Sequence, residues 1–124
     1  MFKFYRGLKP ICFEHSRVPA VLSKIVPLDI KAISLGIFVF CKDYMDERVK
    51  RHETIHFFQQ LELLIVLHWV LYLLFWIVGM VKYRDFETAY FQNPLEQEAF
   101  ENDSAELYIQ KRTPYAWVKY VKHL

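Results

Sequence analysis

An uncharged run of nineteen residues, 63–81 (LLIVLHWVLYLLFWIVGMV), separates two segments rich in metal-ligating side chains, and it constrains the fold more than any other feature. Before it comes His52-Glu53-Thr54-Ile55-His56; after it comes Asn93-Pro94-Leu95-Glu96-Gln97-Glu98-Ala99. Such a run is long enough for one membrane span of about 20 residues and too short for two. A straight helix from His56 to Val81 would be roughly 38 Å long. If that helix crossed a bilayer, the two polar segments would emerge on opposite sides. For them to share one metal ion, the chain must turn within or near residues 61–82, or the apolar helix must lie along a membrane or inside a protein core.

The first polar segment carries its own chemistry. Two histidines four residues apart lie one turn apart on one helix face, so both imidazoles can reach the same ion. Glu53 between them can act as general base on a water at that ion, as in the HExxH pattern of zinc hydrolases. A catalytic zinc takes three protein ligands and leaves one position open. The later acidic segment offers the third. Glu96 is preferred, because the small Ala99 three residues on lets its helix pack closely against the metal helix. Glu98 is the second choice, with Asn102 four residues on to support a ligand histidine from behind. The two glutamates lie about 200° apart around a helix, so one metal does not take both. His68, alone in the apolar run, reads as a hydrogen-bonded structural residue. Tyr90 and His123 are candidate oxyanion helpers, while Arg51 and Thr54 read as solvated or supporting.

Local signals suggest the elements that carry these groups. Residues 1–44 read as largely extended, punctuated by Pro10, Pro19 and Pro27, with Ile11-Cys12-Phe13 as a short strand and room for a helix at 18–25. Residues 30–41 read as one strand, with Ile33, Leu35, Ile37 and Val39 on one face and Gly36 at a bulge or close approach. Asp43 or Asp46 caps a helix that nothing interrupts before Gly79, a length that implies a bend. Residues 83–93 read as a loop. Asn93 and Pro94 then open a helix that runs to about Lys111 and ends before Thr113-Pro114.

These pieces resemble a known group. HExxH followed by ExxA on a later helix looks like the gluzincin metallopeptidases. Glu96-Gln97-Glu98-Ala99 is similar to the ExEA(D) form of CAAX-type membrane zinc proteases and small bacterial relatives, with Phe100 where those have aspartate. A wider resemblance, over residues 30–120, is to short uncharacterised bacterial HExxH proteins. It includes Gln59-Gln60-Leu61-Glu62, Tyr83-Arg84 and Pro114-Tyr115-Ala116-Trp117. The resemblance implies a zinc site and a gluzincin-like fold, and it names no substrate.

The expectation is therefore one α+β domain over residues 1–124: a small N-terminal sheet, the HExxH helix, the apolar helix and a glutamate-bearing helix. The apolar helix packs on the core and touches a membrane, so the protein is membrane-associated, with the metal site in the cytoplasm. A hydrophobic content of 54% with 18% aromatic residues agrees with that. A net charge of +2, with the basic residues dispersed, argues against nucleic-acid binding. Residues 1–6 show no signal peptide. Cys12 and Cys41 form no CxxC pair and read as free, buried thiols of a reducing cytosol. The expected function is zinc-dependent hydrolysis, by a minimal metallopeptidase acting on a peptide or protein substrate with Glu53 as base. The alternative is a non-enzymatic zinc-binding protein or a membrane-associated interaction protein.

Overall fold

Asp46 starts the helix that organises the molecule. Its carboxylate accepts from the Val49 N–H at 2.8 Å, and Glu47 adds a negative charge to the first turn. The computed structural model describes residues 9–25 and 30–123; residues 1–6 and Pro27 lie outside the described residues. In chain order the elements are β1 (Ile11–Phe13), α1 (Val18–Ile25), β2 (Ala32–Leu35), β3 (Phe38–Cys41), α2 (Glu47–Glu62), α3 (Val66–Tyr83), α4 (Phe86–Gln92), α5 (Pro94–Asn102) and α6 (Tyr108–Lys111). A 3₁₀ helix, Ala116–His123, follows. The fold is mixed α+β, mostly helical, with a small N-terminal sheet.

The sheet has the order β1-β3-β2, with β1 parallel and β2 antiparallel to β3. Residues 30–41 are therefore a hairpin rather than one strand. Leu35 pairs with Phe38, and Gly36 takes φ +63° at the first loop position, as in a type II′ turn. The turn breaks the expected alternation: Val39 and Ser34 are buried, while Leu35 and Ile37 are exposed. The strand β2 is an edge, and α2 packs beside it.

The expected bend in the long helix is present, and two other expectations change. The long helix breaks after Glu62, and residues 63–65 turn the chain into α3. Leu64 and Ile65 both adopt positive φ, and the Ile65 N–H bonds the Gln60 carbonyl at 2.6 Å. For a β-branched residue that conformation costs on the order of 1–3 kcal/mol. Residues 83–93 are no loop: Asp85 caps α4 through the Thr88 N–H and hydroxyl, and Ala89 seats against Gly79 of α3. The last helix ends at Asn102, because Asp103 turns inward to salt-bridge and hydrogen-bond partners on α2; α6 is separate.

The core gathers around α2. Val39, Cys41 and Met45 pack at the sheet end, Phe57 and Phe58 in the middle, and Leu63, Leu95 and Trp117 at the far end. A buried ionic network braces that end. Arg112 bridges Glu62, with contacts of 2.9 and 3.0 Å, and Glu98, with contacts of 2.7 and 3.0 Å. Both cysteines are free; Cys41 is buried, but Cys12, on the edge strand β1, is exposed.

Candidate metal centre

Two helices that are distant in sequence bring three ligand atoms together. The His52 and His56 Nε2 atoms point from one face of α2 and lie 3.2 and 2.9 Å from the same Glu96 oxygen on α5. One ligand atom from each of the three side chains falls within 4.8 Å of the others, so the cluster can hold a metal ion. Ala99 is fully buried, and α5 packs closely on α2. Glu98 faces the other way, into the Arg112 network, where Tyr108 and Gln59 also donate to it. It does not join the two histidines.

The other ring nitrogen of each histidine is also held. His52 Nδ1 lies 3.0 Å from Asp103 Oδ2, and His56 Nδ1 lies 2.9 Å from Gln59 Oε1. Each partner is an oxygen that accepts, so each Nδ1 carries an N–H, and Nε2 is the nitrogen that binds a metal once its own proton is displaced. That is the arrangement a metal ligand requires, oriented as carboxylate-supported histidines usually are. Gln59 is fixed in turn: its Nε2 donates to the Leu95 carbonyl and to Glu98. Arg48 Nε and Arg51 Nη1 both donate to Asp103, to its side chain and carbonyl respectively. Arg51 is thus a supporting residue. Thr54 only donates to the Lys50 carbonyl one turn back. The expected support from Asn102 does not occur, since its amide donates to the Glu98 carbonyl and the Tyr120 hydroxyl. Asp103 fills that role, and nothing in its neighbouring sequence marks it.

The remaining Glu96 oxygen accepts from the Tyr72 hydroxyl at 2.7 Å, and the Asn93 side chain donates to the Tyr72 carbonyl. The apolar helix therefore contributes directly to the cluster. His68, one turn before Tyr72, is 1% exposed, and its ring centroid lies 6.2 Å from that of His56. Neither of its ring nitrogens has a hydrogen-bond partner among the described residues, contrary to the structural role expected of it. Burial lowers its pKa to about 3, so the ring is neutral. Tyr90 also lines the cleft, and burial, with the Glu96 carboxylate adding to the effect, raises its pKa well above the usual tyrosine range. The side chain of His123 lies outside the described residues.

Charge in the cluster follows from burial and pairing. Burial disfavours an ionised His56, but the Glu96 carboxylate against it outweighs that and raises its pKa to about 10. His52 is raised for the same reason. Burial also opposes ionised Glu96, yet the two imidazoles hold it well below the usual carboxylate range. Glu53 behaves differently. Burial pushes it above that range, more than His56 and His52 pull it down, and its Oε2 has no partner among the described residues.

All of these groups open on a cleft of about 670 Å³. The edge strand β2 lines one side; His68, Tyr72 and Trp76, at four-residue spacing on α3, line another. Leu22, Ile33, Val49, Leu73 and Phe91 make most of the remaining wall apolar. The donor set fits zinc: two imidazole nitrogens, one carboxylate and an open side facing a cleft. No protein family, curated protein or solved structure matches the chain.

Proposed function

We propose that this chain is a gluzincin-type zinc metallopeptidase, with His52, His56 and Glu96 as ligands and Glu53 as the catalytic base. One observation carries the reading. The unpartnered Glu53 Oε2 shares an open cleft with a His-His-Glu cluster whose imidazoles are held from behind at Nδ1 and turn Nε2 toward one Glu96 oxygen. A site kept only for structure has no use for a buried carboxylate oxygen without a partner, which is costly to retain.

Bound there, zinc supplies Lewis-acid polarisation of the scissile carbonyl and lowers the pKa of water toward 7. The residues of the chain do the rest. Glu53 Oε2 takes the proton from the attacking water and returns it to the leaving amine as the peptide bond breaks. The edge of β2 aligns an extended peptide by main-chain hydrogen bonds, and the apolar walls receive bulky aliphatic or aromatic side chains. His68, neutral and with a free N–H, donates to the substrate oxygen as negative charge develops on it.

The test is Glu53→Gln. The amide keeps the carboxylate's shape but cannot take the proton. The variant is expected to bind one equivalent of zinc and retain its circular dichroism spectrum, while cleavage of a fluorogenic peptide library falls at least a hundredfold. Cleavage at the wild-type rate refutes the assignment of the base.

A further inference from the structure

The outward face of α3 carries no partner among the described residues. Val66, Val70, Leu73, Leu74, Ile77 and Val81 follow one another along the helix and are 44–75% exposed. This surface extends beyond the helix. The hairpin tip meets the α2–α3 turn: the Gly36 N–H donates to Gln60 Oε1, and Ile65 Cδ1 lies 3.7 Å from where a Cβ on Gly36 would sit. Leu64, Ile65, Ile37 and Phe38 there are exposed as well. Together they make an exposed apolar surface that covers one face of α3 and the hairpin tip, unlike the singly scattered apolar side chains normal on a soluble monomer.

The charges around the patch are mostly of one sign. The hairpin, residues 32–41, is uncharged, and at its base the exposed Lys42 bonds Lys31 through the backbone. The exposed Lys82 lies in the last turn of α3, and the exposed Arg84 follows it. The 3₁₀ helix, whose Trp117 packs on Phe75 of α3, adds the exposed Lys119 and Lys122. Against them stand the exposed Asp43, Asp85, Glu87 and Glu101, fewer than the six basic residues, and the Asp85 carboxylate is engaged in capping α4. Glu62, which precedes the apolar run, is buried on Arg112.

We propose that this patch seats the protein on an anionic bilayer, with α3 lying in the membrane plane and the hairpin tip as a second insertion point. A crossing orientation is excluded by what the other face of α3 holds. Tyr72 at mid-helix is tied to Glu96 and Asn93, and Trp69 donates to Gln60, so a spanning α3 would pull a buried carboxylate cluster into hydrocarbon. A second copy fits less well, because a symmetric contact would bring the basic rim against itself, whereas anionic headgroups neutralise it. Leu73 belongs both to this face and to the cleft wall, so the cleft mouth opens at the membrane surface. Substrates then arrive along the bilayer.

Vesicle flotation tests this without depending on metal or activity. Purified protein is mixed with phosphatidylcholine vesicles holding 30% phosphatidylglycerol, and separately with pure phosphatidylcholine. The wild type is expected to float with the anionic vesicles, several-fold more than with the neutral ones. Val70→Glu/Leu74→Glu/Ile77→Glu and, separately, Ile37→Glu/Phe38→Glu alter only exposed positions. Each is expected to keep its fold by circular dichroism and to lose at least tenfold in partitioning. Wild type that stays in the aqueous fraction as a concentration-dependent dimer overturns the proposal in favour of a second copy. Equal binding to both vesicles overturns the choice of anionic lipid. Flotation unchanged in the Ile37/Phe38 variant removes the hairpin from the surface.

Discussion

At the scale of single residues, the two glutamates of the ExEA stretch have opposite environments. Glu96 sits against both imidazoles, and Glu98 against Arg112. Glu96→Ala is therefore expected to drop zinc content well below one equivalent per chain, as His52→Ala and His56→Ala would. Glu98→Gln is expected to retain zinc while lowering the melting temperature. Atomic absorption on the purified variants checks this, and full zinc retention in Glu96→Ala would refute the ligand assignment. The raised histidines make a second prediction. In the metal-free protein His56, with a pKa of about 10, is protonated at pH 7, so zinc must displace that proton. Apparent zinc affinity is expected to rise by about tenfold per pH unit from pH 7 toward 9, measured by competition with a chromophoric chelator. Without metal the sign reverses. The His56 contribution to stability is complete below its unfolded value of 6.5 and is lost as pH rises toward 10. The Glu96 contribution, from a depressed pKa, is present above its unfolded value of 4.5 and is lost as pH falls below it. The metal-free protein is expected to be most stable between those limits.

At the scale of elements, the reversal between α2 and α3 and the fold-back of α4 carry the site. The strained turn at residues 63–65 holds because α3 gains from starting where it does. Its Tyr72 hydroxyl reaches a charged partner, a bond worth about 1.5–3 kcal/mol and thus comparable to the strain. The α3–α4 corner depends on Gly79. A Cβ there would meet the Cα and Cβ of Ala89 at 3.0 Å, and both belong to a packed helix rather than to a flexible side chain. Gly79→Leu is expected to push α4 outward and cost about 1–3 kcal/mol, read by urea denaturation. Stability equal to wild type would mean that α4 is not fixed on α3. The α4 helix was hidden in the sequence because its seven residues are polar and aromatic without clear periodicity; the Asp85-x-x-Thr88 cap was its one local signal.

At the scale of the molecule, the Glu62–Arg112–Glu98 network ties the end of α2 to α5 and to the segment after α6. Arg112 is 3% exposed. Arg112→Met would leave two buried carboxylates without their cation, and is expected to cost about 3–5 kcal/mol. The triple replacement Glu62→Gln/Glu98→Gln/Arg112→Met, with no charge left to strand, is expected to recover much of that in the same denaturation experiment. Equal stability of Arg112→Met and wild type would show the network to be idle.

Period and chemistry were legible in the sequence, and tertiary contact was not. The spacing of His52, Glu53 and His56 determines a shared helix face whatever surrounds it, because 3.6 residues per turn is a property of the backbone. The uncharged length of residues 63–81 likewise required a reversal or an in-plane helix wherever Glu96 was to meet the histidines. Only the tertiary structure located the reversal. It falls at Leu64 and Ile65, which carry none of the glycine, proline or asparagine chemistry that marks turns, and packing rather than local preference holds them there. The tertiary structure also decided which of Glu96 and Glu98 faces the histidines, and selected Asp103 as the group that holds His52 from behind. It left His68 without a partner beside the cluster. Glu96 and Asp103 meet the histidines across about forty to fifty residues of chain, and an acid in the sequence carries no mark of the imidazole it will meet, whereas Gln59 lies only three residues from His56 on the same helix.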